Sequence, residues 1–431
     1  MDDISLYLLV ASILIGYLLG LISGLTPGIH TNNFALLLVA ASPFFIGYGF
    51  GPMYVAVIII SNSITHTFLD IIPSIFLGAP DADTALAVLP GHRLLLQGRA
   101  IEAIRLSAIG SFGSVIASML LLIPLIFLFR GYYLIQGYIG FILLFIVLIM
   151  LFSENGERIE GQGSLAHLKF KGYATLIFLL SGILGLLSFE REFLIGSLIG
   201  LPNPSVLFPL FSGLFGAPLL IQSILSKTVI PEQMKGAFHL TRYRVLRGIA
   251  TGTMAGAIVS FLPGVSSAIG TLLSRLFIKD DLTIDSHREF LVSLSGVNTA
   301  NSIFCLVVLY VIGKSRSGAM IAVNEIYDAA MWDGSVLIVF VTVIFFVSLI
   351  SYFSTVIAGE RASAVLPHIN YQIMCIAVLI VITVMVVLFT GWFGLILFLS
   401  SVPLGLMPTY AKVRRSHLMG VLMLPLIVMF L

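Results

Sequence analysis

Long apolar segments constrain this chain more than any other feature. They recur from Ile4 to Leu431 and are separated by short polar connections. A helix needs about 20 apolar residues to cross a bilayer, so the length accommodates about ten to twelve spans. Only 10% of the residues are charged, against roughly 25% in a soluble domain. The sequence therefore predicts an all-α polytopic membrane protein, a multi-pass protein of the cell membrane surrounded by the lipid bilayer.

Glycine and proline interrupt several of these apolar segments. The chain has 40 Gly and 17 Pro, and within a membrane the backbone groups freed at such breaks must be covered by protein or line a cavity. The apolar pieces 28–45 and 264–278 are too short to cross a hydrocarbon core of about 30 Å. This pattern is typical of broken or re-entrant helices, which favour a transport path.

Charge and motifs exclude several classes of function. The net charge is +2 and the chain has no basic arm, so nucleic acid is not an expected partner. Cys305 and Cys375 lie singly in apolar runs, which leaves no CxxC metal site and no disulfide framework. HExxH, GxSxG, Walker and GxGxxG motifs are absent from the sequence, so we expect no enzyme, no catalytic residue and no cofactor beyond a coupling Na⁺ or H⁺.

An internal repeat relates the two halves of the sequence. "GLISGLTPGIHTNN" from Gly20 aligns with "GAIVSFLPGVSSAI" from Gly256 at an offset of 236 residues. The same offset places "SNS", centred on Asn62, opposite "VNT", centred on Asn298. Fixed-offset similarity of this kind is typical of transporter folds built from two copies of one structural unit.

Charged connections suggest how these copies are oriented. The stretch 227–246 has one acid among several bases, so it is expected on the cytoplasmic side. Asp2, Asp3 and the acid-rich segment 279–289 are expected outside. We therefore predict two inverted repeats with broken or re-entrant helices: a first membrane repeat at 1–226, a basic cytoplasmic connector at 227–246, and a second membrane repeat at 247–431.

The repeated proline–glycine pairs are the strongest candidates for a binding site. A break there leaves a helix N-terminus at mid-depth, where orphan N–H groups and the positive end of the helix dipole attract anions. Neutral polar groups next to the breaks suit a small polar ligand. The predicted substrate-binding residues around the breaks are Pro27, Gly28, His30, Thr31, Asn32, Pro263, Gly264, Ser266 and Ser267. Proline kinks and hydroxyls that serve only helix packing are the alternative.

Polar residues inside the apolar segments extend this candidate site. Asn62 and Asn298 occupy matching positions and are predicted to contact the substrate; amides that merely bridge helices are the alternative. A charge at depth needs a partner, a cation or a proton, so Asp70 is assigned to ion coupling together with His66, one helical turn earlier, and Thr299. If Asp70 instead lies near an interface, it simply meets water.

Arg99 lies in the segment 78–105, where charged residues alternate with apolar ones. Its guanidinium can pair bidentately with a carboxylate or phosphate, so Arg99 is included among the substrate-binding candidates. Contact with lipid headgroups is the alternative.

Three segments resemble a known family. They are "GLISGLTPGIHTNNFALLL" from Gly20, "GAPDADTALAVLPGHRLLLQGRAIEAIRLSAIGSFGS" from Gly78 and "GAIVSFLPGVSSAIGTLLS" from Gly256. The second is the most specific. Together they resemble the TctA family, the large membrane subunit of the tripartite tricarboxylate transporters, and especially its shorter archaeal-type relatives. The family often has a Gly-Pro-Gly-Ser type loop where this chain has "GKSRSGA" from Gly313.

The resemblance implies a secondary active transporter of an organic anion of the carboxylate class, coupled to a Na⁺ or H⁺ gradient. It also implies a small membrane subunit and an extracytoplasmic solute-binding protein as partners, and a homodimer is an alternative to a monomer. "PGVS" from Pro263 resembles instead a motif of families that translocate polyprenyl phosphate lipid carriers, which would use the same helix-end anion site. A scaffold or receptor without transport is the third alternative.

Overall fold

The computed structural model describes residues 5–26, 31–77, 86, 88–154, 166–200, 204–225, 231–234, 240–262, 265–278, 284–365, 368 and 370–431. All regular secondary structure in these ranges is helical. Nine helices among the described residues are long and apolar enough to cross a membrane. The predicted all-α polytopic membrane architecture is thus confirmed.

The first half contains α1 (Leu6–Leu25), α2 (Thr31–Ala40), α3 (Ser42–Gly47), α4 (Pro52–Leu69), α5 (Ile71–Phe76), α6 (Val88–Leu96), α7 (Ala100–Phe129), α8 (Tyr132–Ile135), α9 (Ile139–Phe152), α10 (Ala166–Glu190), α11 (Leu207–Phe211) and α12 (Ala217–Leu225). The second half contains α13 (Arg242–Phe261), α14 (Ser267–Phe277), α15 (Ile284–Ile312), α16 (Gly318–Ile326), α17 (Gly334–Val365), α18 (Tyr371–Ala411) and α19 (Gly420–Phe430).

Helix bounds repeat at the offset found in the sequence. Adding 236 to the bounds of α1 gives 242 and 261, which are the bounds of α13. Adding 236 to Thr31, where α2 begins, gives Ser267, where α14 begins. The two halves therefore start with the same succession of helices and interruptions.

Small residues let α1 approach α4, and α13 approach α15, closely. A Cβ built on Gly20 would lie 2.8 Å from the carbonyl oxygen of Asn62, and one on Gly256 would lie 2.9 Å from that of Val297. These distances are below ordinary van der Waals contact, so the backbones touch. Such stripes of small residues are a common way to pack helices where the lipid provides no hydrophobic driving force.

In the first half, the helices α1 and α4 run parallel to each other. Gly16 lies against Ser61 and Gly24 against Leu69, so α1 and α4 ascend together. The backbone N–H of Ser5 donates to the Tyr54 hydroxyl at 2.8 Å, which brings the starts of the two helices together. The chain between them must therefore return across the same depth, and α2 and α3 lie on this return.

The second half repeats this arrangement. Gly248 lies against Glu289 and Gly256 against Val297, so α13 and α15 are also parallel. Only α14 is described between them with a helical backbone. With 11 residues it is about 16 Å long, about half of a hydrocarbon core. The predicted interruption of these segments by broken helices is thus visible in the helix bounds of both halves.

The two halves interleave. In the first half, α7 packs along α15 of the second half, with the rings of Phe129 and Phe304 at 6.5 Å and an ion pair of Glu102 with Arg288 at 2.9 Å. Conversely, α17 packs along α4, where the hydroxyls of Ser351 and Thr65 are 3.2 Å apart.

Residue pairs give the directions of these interleaved helices. The pairs Glu102–Arg288 and Phe129–Phe304 advance together, so α7 is parallel to α15. On α17, Ser351 contacts Thr65, and the Thr355 hydroxyl donates to the Phe68 carbonyl at 3.2 Å, so α17 follows the direction of α4.

The helices α7 and α17 run antiparallel to each other. Arg105 pairs with Glu360 at 2.6 Å, whereas further along α7 the ring of Phe112 lies 6.1 Å from that of Phe345. Because α7 is parallel to α15 and α17 is parallel to α4, the long polar helices α4 and α15 run in opposite directions.

The 41-residue helix α18 consists of two arms. Gly391 has φ 68° and ψ −164°, values that are not helical. Before it, α18 runs antiparallel to 207–225, with the ring of Phe208 6.0 Å from that of Phe389 and Gln372 donating to the Ile224 carbonyl at 3.0 Å. After Gly391, Gly405 approaches Leu214, and beyond the helix Arg415 donates to Gln222 at 2.9 Å. The second arm therefore runs back along 207–225 in the direction opposite to the first arm.

Candidate functional site

The two breaks occupy equivalent positions. After α1, Thr26 is extended (φ −91°, ψ 112°), and after α13, Leu262 is extended (φ −87°, ψ 125°). Helical structure resumes at Thr31 and at Ser267. The predicted residues Pro27, Gly28, His30, Pro263 and Gly264 lie outside the described residues, as does the side chain of Asn32, which belongs to α2.

Asn62 lies in the middle of a fully buried polar stretch of α4. Its amide oxygen accepts a hydrogen bond from the Ser23 hydroxyl at 3.2 Å, and the same hydroxyl lies 3.0 Å from Nδ1 of His66. The Nδ2 group of Asn62 has no hydrogen-bond partner among the described residues, and neither has the hydroxyl of Ser61. Asn62 is therefore held by its acceptor while its donor remains available.

Asn298 connects the two halves. Its Nδ2 group donates to Oδ2 of Asp70 at 3.2 Å, and the exposed fractions of these residues are 2% and 3%. Asp70 lies between α4 and α5, as the C-cap residue of the first and the N-cap residue of the second. Two residues assigned separately to the substrate and to the coupling ion are thus in direct contact, and Asp70 is buried rather than at an interface.

Both return helices are tied to the following polar helix at their first residue. The Thr31 hydroxyl lies 3.5 Å from that of Ser63, and the Asn301 amide donates to the Ser267 hydroxyl at 2.9 Å. Beside this second contact, the Ser266 hydroxyl is buried and has no partner within the described ranges. The N-termini of α2 and α14 are thereby positioned against α4 and α15.

We give the name central polar cluster to the polar residues of α4, of α15 and of the segments at the two breaks, which form the separate contacts described above. It comprises Ser23, Thr31, Asn62, Ser63, His66, Asp70, Ser266, Ser267, Asn298, Thr299 and Asn301. The hydroxyl of Thr299 is fully buried and, like Nδ2 of Asn62, has no partner in the described part of the chain. A buried donor without an acceptor costs about 1–3 kcal/mol. Such donors on both polar helices are the groups that a ligand or an ion could complete with hydrogen bonds.

Arg99 lies elsewhere. It follows Gly98, whose φ of 74° suits glycine, and its guanidinium is 3.7 Å from Glu102. Glu102 pairs with Arg288, which precedes Asn298 by ten residues of α15, or about 15 Å along a helix. The structure therefore places Arg99 in a charged cluster at the start of α7 and not beside the two asparagines.

This charged cluster corrects one expectation. The segment 279–289 was expected on the side opposite the basic connector, yet Glu289 is fully buried and its carboxylate accepts from Nη2 of Arg247 at 2.7 Å. Arg244 approaches the same carboxylate at 3.8 Å. The expectation was wrong because acids and bases neutralise each other across α13 and α15. The parallel packing of these helices, unknown from sequence, brings both segments to one end.

Sequence reasoning also missed Ser23. This serine lies within "GLISGL", where it resembles a small packing residue, yet it joins Asn62 to His66. A signal existed in the helical spacing: Ser23 shares a face with Gly16 and Gly20, which pack on α4.

Comparisons with known proteins agree with this architecture. The family model described as the tripartite tricarboxylate transporter TctA family matches residues 10–420. A protein of Methanocaldococcus jannaschii, named Uncharacterized protein MJ1079, is 29% identical over 434 residues, which cover 97% of this chain and 98% of the relative. No solved structure matches the chain. Because the family match covers nearly the whole length, the chain belongs to the TctA family of tripartite tricarboxylate transporters.

Proposed function

We propose that the protein is a secondary active transporter that carries an organic anion of the carboxylate class through the central polar cluster, driven by a Na⁺ or H⁺ gradient. The observation that carries this proposal is the buried contact between Asn298 and Asp70, which joins the two halves, together with the buried donors of Asn62, Ser266 and Thr299, which have no partner among the described residues. A cluster of this kind at two helix breaks supports a binding site within the membrane.

Neutral donors suit a carboxylate in a low-dielectric site. The Nδ2 group of Asn62 and the hydroxyls of Ser266 and Thr299 provide hydrogen bonds without adding a fixed positive charge that would hold the anion too tightly. The N-terminal ends of α2, beside Ser63, and of α14, beside Asn301, add partial positive charge. An anion that contacts the N-terminal ends of both helices exchanges its water molecules for protein donors stepwise.

Asp70 is the proposed site of ion coupling. A buried carboxylate is favourable when it binds a cation or takes up a proton, and both states neutralise the charge next to the anion site. Nδ1 of His66 contacts the Ser23 hydroxyl, which donates to Asn62. Thr299 provides a hydroxyl oxygen, a type of ligand that Na⁺ binds. Cation and anion thus stabilise each other, which makes transport of either depend on the other.

Alternating access is the proposed mechanism. The opposite directions of α4 and α15, derived from the contacts of α7 and α17, support two copies inserted in opposite orientations. Exchanging the conformations of two such copies exposes a central site first to one side and then to the other.

Partner subunits complete the proposal. The family name describes a tripartite system, so we propose that a small membrane subunit and an extracytoplasmic solute-binding protein work with this chain. The division into repeats at 1–226 and 247–431 remains a prediction, as does the choice between a monomer and a homodimer.

Reconstituted vesicles test the function. Purified protein should accumulate labelled citrate or succinate when a Na⁺ or pH gradient is imposed and should not when the gradient is collapsed by an ionophore. Asn62→Ala should abolish this uptake, whereas Asn370→Ala, which removes the cap of α18 far along the chain, should preserve it. Uptake that ignores every gradient across a panel of carboxylates refutes the proposal; translocation of polyprenyl phosphate instead supports the lipid-carrier alternative.

A further inference from the structure

Two cations in the loop between α15 and α16 lie on one aromatic ring. The Arg316 guanidinium is 4.7 Å from the ring centre of Tyr132, and the Lys314 ammonium is 5.4 Å from the same centre and 5.7 Å from that of Tyr133. Tyr132 is buried, with 1% of its surface exposed. The loop belongs to the segment "GKSRSGA" from Gly313.

Arg316 has donors without acceptors. Its Nε and Nη2 atoms are buried and have no hydrogen-bond partner among the described residues. These two nitrogens form one edge of the guanidinium, and their N–H groups are parallel and spaced for two oxygens of one carboxylate or phosphate. A buried guanidinium edge without a partner is costly, so this geometry calls for an anion.

The position of these residues connects them to the second break. The Tyr132 ring lies 5.1 Å from that of Phe261, the last residue of α13 before the break. The loop follows the end of α15, whereas the buried Glu289 with its arginine partners lies near the start of that helix. Lys314 and Arg316 are thus at the end of the molecule away from the basic connector, and only the Tyr132 ring separates them from Phe261 at the end of α13.

We propose that Lys314, Arg316 and the face of Tyr132 form a second anion-binding site, which binds a carboxylate or phosphate group through the Nε–Nη2 edge of Arg316. Its role as the place where a substrate first binds before reaching the central polar cluster rests on the proposed function. Tyr132 fixes the guanidinium plane by stacking, and Lys314 adds a second positive charge that attracts anions.

Two sources can supply such an anion: a free carboxylate from solution or the phosphate of a lipid headgroup. Binding of labelled citrate to the full chain by equilibrium dialysis distinguishes them, with protein in nanodiscs of phosphatidylcholine alone or with added phosphatidylglycerol. Arg316→Gln should abolish citrate binding at this site, which is one component of the binding curve. Arg316→Lys keeps the charge but loses the two-donor edge, so it should weaken that component about tenfold, a difference of about 1.4 kcal/mol.

Arg130→Gln is the matched control, because Arg130 is exposed and stacks on Phe127 nearby at 5.4 Å. It should leave citrate binding unchanged. If phosphatidylglycerol displaces citrate in the wild type but not in Arg316→Lys, the site exists and its ligand is the headgroup. If Arg316→Gln does not fold, the Arg316→Lys comparison decides alone.

Equal citrate binding and equal lipid competition in wild type, Arg316→Gln and Arg316→Lys overturn the site. The dialysis needs no transport, so its outcome is separate from that of the uptake assay. Vesicles without gradient-driven uptake but with Arg316-dependent binding refute the proposed function and leave this site standing.

Discussion

Asn298 donates to Asp70 where the two halves meet, so a single substitution tests the proposed substrate site and the proposed coupling site together. Asn298→Ala removes one hydrogen-bond donor from the buried Asp70 carboxylate, and losing a hydrogen bond to a buried polar group costs about 1–3 kcal/mol. We expect a correspondingly lower thermal stability in detergent and at least about a tenfold loss of gradient-driven uptake. Scintillation counting of vesicle uptake, alongside a melting curve, measures both.

Ser302→Ala is the control for Asn298→Ala. The Ser302 hydroxyl only donates to the backbone carbonyl of Asn298, at 3.2 Å on the same helix, so its loss should leave uptake near the wild-type rate. Full uptake by Asn298→Ala would exclude this amide from the transport site.

His92 makes the stability of the fold depend on pH. The pKa of His92 is lowered from 6.5 to about 4, because burial and, to a smaller extent, the positive charge of Arg415 outweigh a backbone hydrogen bond at Ile75 that raises it. The unfolded chain binds a proton near pH 6.5 but the folded chain only near pH 4, so acidification across this window favours unfolding. The loss amounts to about 3 kcal/mol when complete.

Melting temperatures measured between pH 7 and pH 4 test the role of His92. His92→Gln should flatten the decline below pH 6.5, since glutamine takes up no proton. His368→Gln should not, because His368 is exposed. An identical decline in wild type and His92→Gln would assign the acid sensitivity to other groups.

At the scale of helices, the glycine stripes are the most direct test of the repeat. Gly20→Ala and Gly256→Ala place a methyl group 2.8 Å and 2.9 Å from backbone oxygens of α4 and α15, and overpacking of this kind costs about 1–3 kcal/mol. Because the positions are equivalent, we expect similar losses in thermal stability. Gly172→Ala in α10 meets no atom within 4 Å and should be neutral or slightly stabilising.

A neutral result for both Gly20→Ala and Gly256→Ala would mean that the close approach of these helices is not needed. A loss in only one of them would mean that the two halves do not share the same packing.

Local patterns explain which elements the sequence predicted. The predicted interruptions fall between the end of α1 and Thr31 and between the end of α13 and Ser267, and α18 leaves helical geometry at Gly391, a residue type that interrupts helices. The short helices α6 and α16 were not predicted, because nine residues are fewer than a membrane span requires and their polarity resembles that of a loop.

The site was predictable to the extent that it depends on residues at matched positions. Asn62, Asn298 and Asp70 were proposed because buried amides and charges are costly in a membrane, and their roles stay predictions. Their partners could not be predicted, since the contact of Asp70 with Asn298 joins residues 228 positions apart. The surroundings of Arg99 could not be predicted for the same reason: its partner Glu102 belongs to a charged cluster that only the packing of α7 on α15 assembles.

At the scale of the molecule, interleaving makes the two halves depend on each other. One long helix of each half packs against the central helix of the other half: α7 lies along α15, and α17 lies along α4. The polar face of each central helix is therefore buried partly by a helix of the other half. If the halves move against each other, as the proposed alternating access requires, α7 and α17 must move with the helices on which they pack.

Opposite orientation of the halves can be tested by labelling cysteines from one side. The directions of the helices place the start of α1 and the loop before α17 at one end and residues 231–234 at the other, because the Met234 N–H donates to the Gly98 carbonyl at 2.7 Å beside the start of α7. Ser5→Cys and Met331→Cys should react with an impermeant maleimide added outside intact cells, whereas Met234→Cys should react only after lysis. Met331 and Met234 are exposed by 74% and 53%.

The native Cys305 and Cys375 are both buried, so they should contribute little background, and the unsubstituted chain measures it. We predict that the end with the basic connector is cytoplasmic, since positive charge is retained inside. If Met234→Cys and Met331→Cys were labelled from the same side, α15 and α17 would not cross the membrane in the directions that their contacts require. Alternating access by exchange between two opposite copies would then be excluded, whatever the vesicles transport.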